Sequence, residues 1–354
     1  MKIGVILLNF GEPEDPSLEN VVAFLERIFY ANANLEGAAD ERAKRERSRE
    51  LAERRAPGLI DEYSKIGSSP MNDQAAAQAR GLSIELQQRQ TEATVYSGFQ
   101  FTPPLVHDVV GRARDDQIER LVALPVYPIC GPSTNVAAVK LVQAAIEELG
   151  WRVELRSITG WHRHPLYLEL RADAIRVLAR DRGLDLSDRD TRVVFSAHGT
   201  PQKYVDEGSR YVAYVEEYCD DIGRRLSLPG YEIGYQNHSN RGIEWTAPDV
   251  DEVIRSVGTK RVVVDPVSFM HEQSETLVEL DHELAEVALA AGTEFHRVPV
   301  PHDDSRFATV LADLVQEVSD GSTASGIRLG QCRCHSQEGT YCLNSLPRAL
   351  LTGQ

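Results

Sequence analysis

His198 stands just past the apolar run Arg192–Phe195, in Ser196-Ala197-His198-Gly199-Thr200-Pro201. Ligands of open α/β sheets bind outside the carboxyl ends of the strands. An imidazole there, beside a glycine that admits close approach, is a candidate acid–base group rather than a core residue. Glu275, Glu279 and His282 follow i, i+4, i+7 spacing, with Glu272 a turn before and Glu283 a turn after. Such a stripe is usually a solvated helix face. Here it starts at the mouth of a strand, where crowded carboxylates raise one another's pKa and either exchange protons or bind a cation. A third group, Cys332, Cys334 and Cys342, is compressed into the last part of the chain.

These residues need elements to hold them. Ile3 to Leu8 reads as a buried parallel strand, as do Ala93–Tyr96, Arg120–Leu124 and Val153–Leu155. Helical patterns fall at about 17–30, 72–89, 104–115 and 134–149. The beat then repeats with Arg192–Phe195, Glu232–Tyr235, Arg261–Val264 and Glu294–Val298, and with helices near 203–227, 249–256, 274–290 and 303–319. Four strands alternating with helices, twice over, predict an α/β fold of two doubly wound halves. The expected division is 1–160, 161–320 and a tail, 321–354, joined through a flexible linker beginning near Ser319. Ala38 to Arg55 is dense in Glu and Arg and predicts a solvated helix laced with i,i+4 pairs, within an insertion near 35–70 placed to cover a cleft. The apolar side chains of Val21–Phe29 recur at helical spacing, which favours packing inward over lining the cleft's lip.

With 354 residues, 42% apolar and 26% charged, the chain is an ordinary globular protein with room for two cores. A net charge of −16 argues against nucleic acid as a partner. No apolar run reaches the about 18 residues a membrane span needs. The N-terminus does not read as a signal peptide, so a cytoplasmic address is expected. No G-x-G-x-x-G or Gly-Lys-Ser/Thr loop is present, so nucleotide binding lacks its signature.

In order along the chain stand Leu7-Leu8-Asn9-Phe10-Gly11-Glu12-Pro13, Ile66-Gly67-Ser68-Ser69-Pro70, the His198 block, Tyr235-Gln236 with Trp245, and Ser274-Glu275-Thr276-Leu277-Val278-Glu279-Leu280-Asp281. This series resembles the ferrochelatases over about residues 2–320. The resemblance implies two Rossmann-like halves with a porphyrin cleft between them, and insertion of Fe²⁺ into protoporphyrin IX. It implies His198 as acceptor of the pyrrole protons and Glu275 opposite it. Glu279 and Asp281 would continue an acidic trail able to hold iron, and Phe10, Ser69, Tyr127 and Trp245 would contact the porphyrin. A neutral imidazole near pH 7 suits proton abstraction, and holding the ring distorted would expose its nitrogen lone pairs. Coproporphyrin III as substrate, another metal, and a haem carrier that kept the fold are the rival readings.

The chain departs from the family pattern at Gly67-Ser68-Ser69-Pro70, at Phe99-Gln100-Phe101, where a cation is common, at the loop Tyr235 to Arg241, and at Gln273. Phe10 is not expected to be an axial ligand. The cysteine tail resembles that of ferrochelatases carrying [2Fe–2S], which implies Cys332, Cys334, Cys342 and, from the loop after the third strand, Cys130 as ligands. Zinc with His335 in place of Cys130, and thiols holding no metal, remain alternatives. Cys219, on a helix, reads as a small buried residue.

Overall fold

The computed structural model describes residues 1–33, 40–237 and 242–319, together with the backbone of 340–341. Cys332, Cys334, His335 and Cys342 lie outside the described residues, as does the loop from His238 to Arg241.

The first sheet takes β1 (Ile3–Asn9), β2 (Ala93–Phe99), β3 (Arg120–Pro125) and β4 (Glu154–Ile158) in the order β2-β1-β3-β4, all parallel. The second takes β5 (Thr191–His198), β6 (Tyr231–Gln236), β7 (Arg261–Pro266) and β8 (Glu294–Arg297) in the order β6-β5-β7-β8, also parallel. Val5 to Leu8 and Val262 to Val264 are fully buried, as strands covered on both faces must be. A two-residue strand, Thr340–Tyr341, adds to the first sheet by pairing with Ser157 and Ile158 of β4.

The helices are α1 (Leu18–Ala31), α2 (Glu41–Ile66), α3 (Met71–Gln88), α4 (Val106–Asp115), α5 (Ala137–Glu148), α6 (Pro165–Arg182), α7 (Gln202–Asp206), α8 (Tyr211–Arg225), α9 (Val250–Ser256), α10 (Ala285–Ala290) and α11 (Ser305–Ser319). The helix expected over 203–227 is thus broken into α7 and α8, and α6 joins the two halves where no helix is expected. α11 returns from the second sheet to pack on α3, α6 and the edge of the first. One core therefore runs through both halves, from Val5 and Val122 through Trp161 and Tyr167 to Phe195 and Phe307.

The charged start of α2 carries the expected pairs, Arg42–Glu46 and Arg49–Glu53. The helix then runs on, and Ala52, Ala56, Leu59 and Tyr63 pack on Val21, Val22, Phe24 and Leu25 of α1. At about 1.5–3 kcal/mol per buried large apolar side chain, this seam outweighs the exposed ion pairs.

Candidate active site

The carboxyl ends of β1, β3, β5 and β7 converge on one cavity of about 280 Å³. Phe10 and Glu12 come from the loop after β1, and Tyr127 from that after β3. Gly199 and Thr200 follow β5, and Ser268 to His271 and Gln273 to Glu275 follow β7. The α1–α2 pair forms the opposite wall with Phe24, Leu25, Ile28, Phe29, Arg55 and Leu59. Val21 and Val22 pack inward as expected, while the rest of that α1 face lines the cleft.

His198 ends β5. Its backbone N–H donates to Ser268 Oγ at 2.6 Å, its carbonyl accepts from Tyr211 Oη at 2.8 Å, and its Nδ1 lies 2.6 Å from Gly199 O. If the Gly199 carbonyl fixes the proton on Nδ1, Nε2 is turned outward, where it meets Glu275 Oε1 at 3.0 Å. A Cβ on Gly199 would fall 1.9 Å from Asn237 Oδ1, so this glycine makes room for the Asn237 side chain.

Glu275 opens a helix over Glu275–Leu284 that is π-helical, with i→i+5 bonding. The wide turn keeps Glu275 and Glu279 on one face, both lining the cavity. It rotates the i+7 residue away, so His282 is exposed and the three-residue stripe expected from α-helical spacing is reduced to two carboxylates. Gln236, at the end of β6, donates from Nε2 to Glu275 O at 3.0 Å and to Glu279 Oε2 at 3.1 Å. Gln273 donates to Glu275 Oε2.

Burial alone would lower the His198 pKa, but the Glu275 carboxylate beside it prevails and holds it up, to about 9. Burial, then the charge of Glu275, pushes Glu279 up to about 8. His198 and Glu275 thus share a proton at neutral pH, where an isolated imidazole would be largely neutral. Deeper still, Glu12 is raised by burial and by Glu275, against the opposing hydroxyls of Ser274 and Ser69.

Phe10, Tyr127 and Trp245 line the cavity with His198, Glu275 and Glu279. Tyr127 is held by Gln100, whose Nε2 donates to its hydroxyl at 2.9 Å. Ser69 is turned to Glu12. Asp281 is not brought into the cavity: Arg297 takes both its oxygens, with Nη2 at 2.8 Å from Oδ2. Cys130 and Cys219 are both buried. Among the described residues no group of three or more His, Cys, Asp or Glu is arranged to hold a metal ion.

Two four-stranded parallel sheets whose strand ends open on one cavity give a chelatase-like fold. The fold resembles CbiX, the terminal enzyme of sirohaem biosynthesis in denitrifying bacteria (TM-score 0.50, 13% identity, 90% of this chain and 99% of that one). It also resembles SirB from Bacillus subtilis solved with Fe³⁺ (TM-score 0.52, 10% identity, 91% and 98%). The ferrochelatase family model matches residues 2–319, and the chain belongs to that family. It is 34% identical to the ferrochelatase of Synechococcus sp. JA-3-3Ab, over 89% of this chain and 93% of that one. It is 31% identical to ferrochelatase-2, chloroplastic, of Hordeum vulgare, over 92% and 69%. The protein is accordingly a metal–porphyrin chelatase, a lyase of haem biosynthesis with iron as its substrate metal. Among the described residues no helix is long and apolar enough to cross a membrane.

Proposed function

We propose that the chain inserts Fe²⁺ into protoporphyrin IX, with the His198–Glu275 pair against the pyrrole nitrogens. The observation that carries this reading is the 3.0 Å contact between His198 Nε2 and Glu275 Oε1 on the cavity floor. Insertion breaks two N–H bonds, forms the iron–nitrogen bonds and releases two protons. The pair accepts one proton at a time and hands it on to Glu279, which Gln236 holds beside it. With its pKa raised to about 8, Glu279 holds a proton near neutral pH and releases it outward before taking the next from the pair. Held by Arg297, Asp281 is off this route.

Protoporphyrin is favoured over coproporphyrin by the lining. Arg55 is the only Lys or Arg lining the cavity among the described residues, and Phe24, Ile28, Phe29 and Phe101 line it too. Such a wall suits a macrocycle with apolar vinyl edges and few carboxylates better than one with four propionates. Anaerobic Fe²⁺ insertion with protoporphyrin IX and coproporphyrin III offered side by side tests this. Faster turnover of coproporphyrin would overturn the substrate choice, and tight haem binding with turnover of neither would replace the enzyme by a haem carrier.

A [2Fe–2S] cluster on Cys130, Cys332, Cys334 and Cys342 is part of the proposal. Two features support it. Trp161 N–H donates to Pro128 O at 2.8 Å, tying the Cys130 loop to the end of β4, and Thr340–Tyr341 pairs with β4 at that same end, immediately before Cys342 in the sequence. Four thiolates are the donor set such a cluster takes, and it would supply an electron-accepting centre. Anaerobically purified protein should be brown with charge-transfer bands, and C130S should lose them; colourless protein would leave zinc or bare thiols. A cytoplasmic address also belongs to the proposal, and cell fractionation tests it.

A further inference from the structure

Glu12 is a carboxyl that the reaction as proposed does not use, yet it sits at the cavity wall with only 4% of its surface exposed. Its oxygens accept from Ser274 Oγ, Ser274 N–H (3.2 Å), Ser69 Oγ and Tyr63 Oη (3.1 Å). Every one of these side-chain contacts is with a neutral hydroxyl or amide. Burying a carboxyl against neutral groups costs several kcal/mol relative to water unless the donors are well placed. The backbone around it is equally fixed. Asn72 accepts from Glu12 N–H at 3.1 Å and donates to Glu12 O at 2.8 Å. Gly11, at φ +86°, turns the chain where a Cβ would strike Thr102 Oγ1 at 2.2 Å.

The partners come from both halves. Tyr63 and Ser69 belong to the α2–α3 side, whereas Ser274 is the residue that caps the π-helix directly before Glu275. Glu12 is thus a strut between the loop after β1 and the first turn of the helix that presents Glu275. Ser274 gives Glu12 both its hydroxyl and its backbone N–H, so the first turn of that helix is tied directly to the loop after β1.

We propose that Glu12 is a positioning residue, acting through Ser274 to hold Glu275 at bonding distance from His198. The inference rests on the His198–Glu275 pair being the reacting pair. It predicts that Ser69, expected to contact the porphyrin, instead serves to orient Glu12.

The test is a double-mutant cycle read in anaerobic iron insertion. E12Q and S274A are each expected to lower kcat about tenfold while porphyrin KM stays within about twofold, the pattern of a lost transition-state interaction. E12Q placed on an E275Q background should cost little further, because both changes act on one carboxylate. S69A removes one donor from Glu12 with little volume change and should give a smaller loss of the same kind. Multiplying effects of E12Q and E275Q, or a fall in melting temperature with kcat per folded molecule unchanged, would reduce Glu12 to a structural residue and overturn the inference. If E12Q does not fold, S274A and S69A decide it by the same criterion. Absence of insertion by the unmutated protein would instead overturn the reaction itself.

Discussion

His198 Nε2 and Glu275 Oε1 face each other at 3.0 Å, one at the end of β5 and the other on the first turn of a π-helix after β7. The two elements belong to the same sheet, so the pair is set by strand ends that cannot move independently. What lies opposite, across the cavity, comes from β1, β3 and the α1–α2 wall. His198 and Glu275 are thus both carried by the second half, and the cavity wall across from them largely by the first.

Removing either member of that pair should stop the chemistry while leaving binding. H198A and E275Q are each expected to lower kcat by about 10²–10⁴-fold, the range for a positioned acid–base group. Porphyrin affinity, followed by fluorescence quenching, should change little, because the contact area lies on the aromatic wall. Near-normal insertion by H198A would remove the proton-acceptor role.

Proton sharing gives the pH dependence a sign. With His198 held up to about 9 by Glu275, the unprotonated acceptor grows as pH rises from 7 towards 9. The kcat/KM for porphyrin, which reports the free enzyme's pKa values, should therefore climb across that interval. In H198N the climb should flatten. The same pairing favours folding below the ordinary histidine value of 6.5 and loses that contribution as pH passes through about 9. A rate already flat above pH 7 in the unmutated protein would assign the abstraction to another group.

How much of this could be read in the sequence depends on the range of the interaction. Strands with continuous apolar runs are local signals, and β1, β3, β5 and β7 fall where the runs predict. His198 was legible because a strand end is a position as well as a residue type. α6 was not, although Pro165 opens it: the helix is buried over much of its girth, including Arg171, which pairs with Asp265 in the core. Its apolar side chains form no single stripe to recognise. The π-helix defeated the stripe argument for His282, since spacing alone cannot tell i→i+4 from i→i+5 bonding. Glu12 stands in one of the motif blocks but was not singled out there, because its partner Ser274 is 262 positions away. A carboxylate in a loop after the first strand was the one available signal.

Arg55 gives a prediction about grip. Its Nη2 donates to Glu62 Oε1 at 2.6 Å along α2, so this cation is balanced by a carboxylate. A porphyrin propionate would compete for it, and Arg suits a carboxylate by its bidentate fork. R55A should raise porphyrin KM about tenfold with kcat retained, and the effect should shrink as salt rises. An unchanged KM would move propionate recognition to residues outside the cavity wall described.

Glu279 separates stability from turnover. Burial and the neighbouring Glu275 push its pKa to about 8, so the folded state binds a proton that the unfolded chain, titrating near 4.5, releases. Its neutral form favours folding fully below that lower value, and the contribution is lost as pH rises through about 8. E279Q keeps an oxygen for the amide of Gln236 and removes the charge. The variant should melt higher than the unmutated protein at pH 9, by several degrees, with the two converging near pH 5. Iron insertion should fall at the same time, since the carboxyl that relays protons from the His198–Glu275 pair is gone. A higher melting temperature with full activity would keep the buried carboxyl as an electrostatic cost and deny it the relay. Lower activity with no change in the pH dependence of stability would instead mean that Glu279 does not bear a proton in the folded protein.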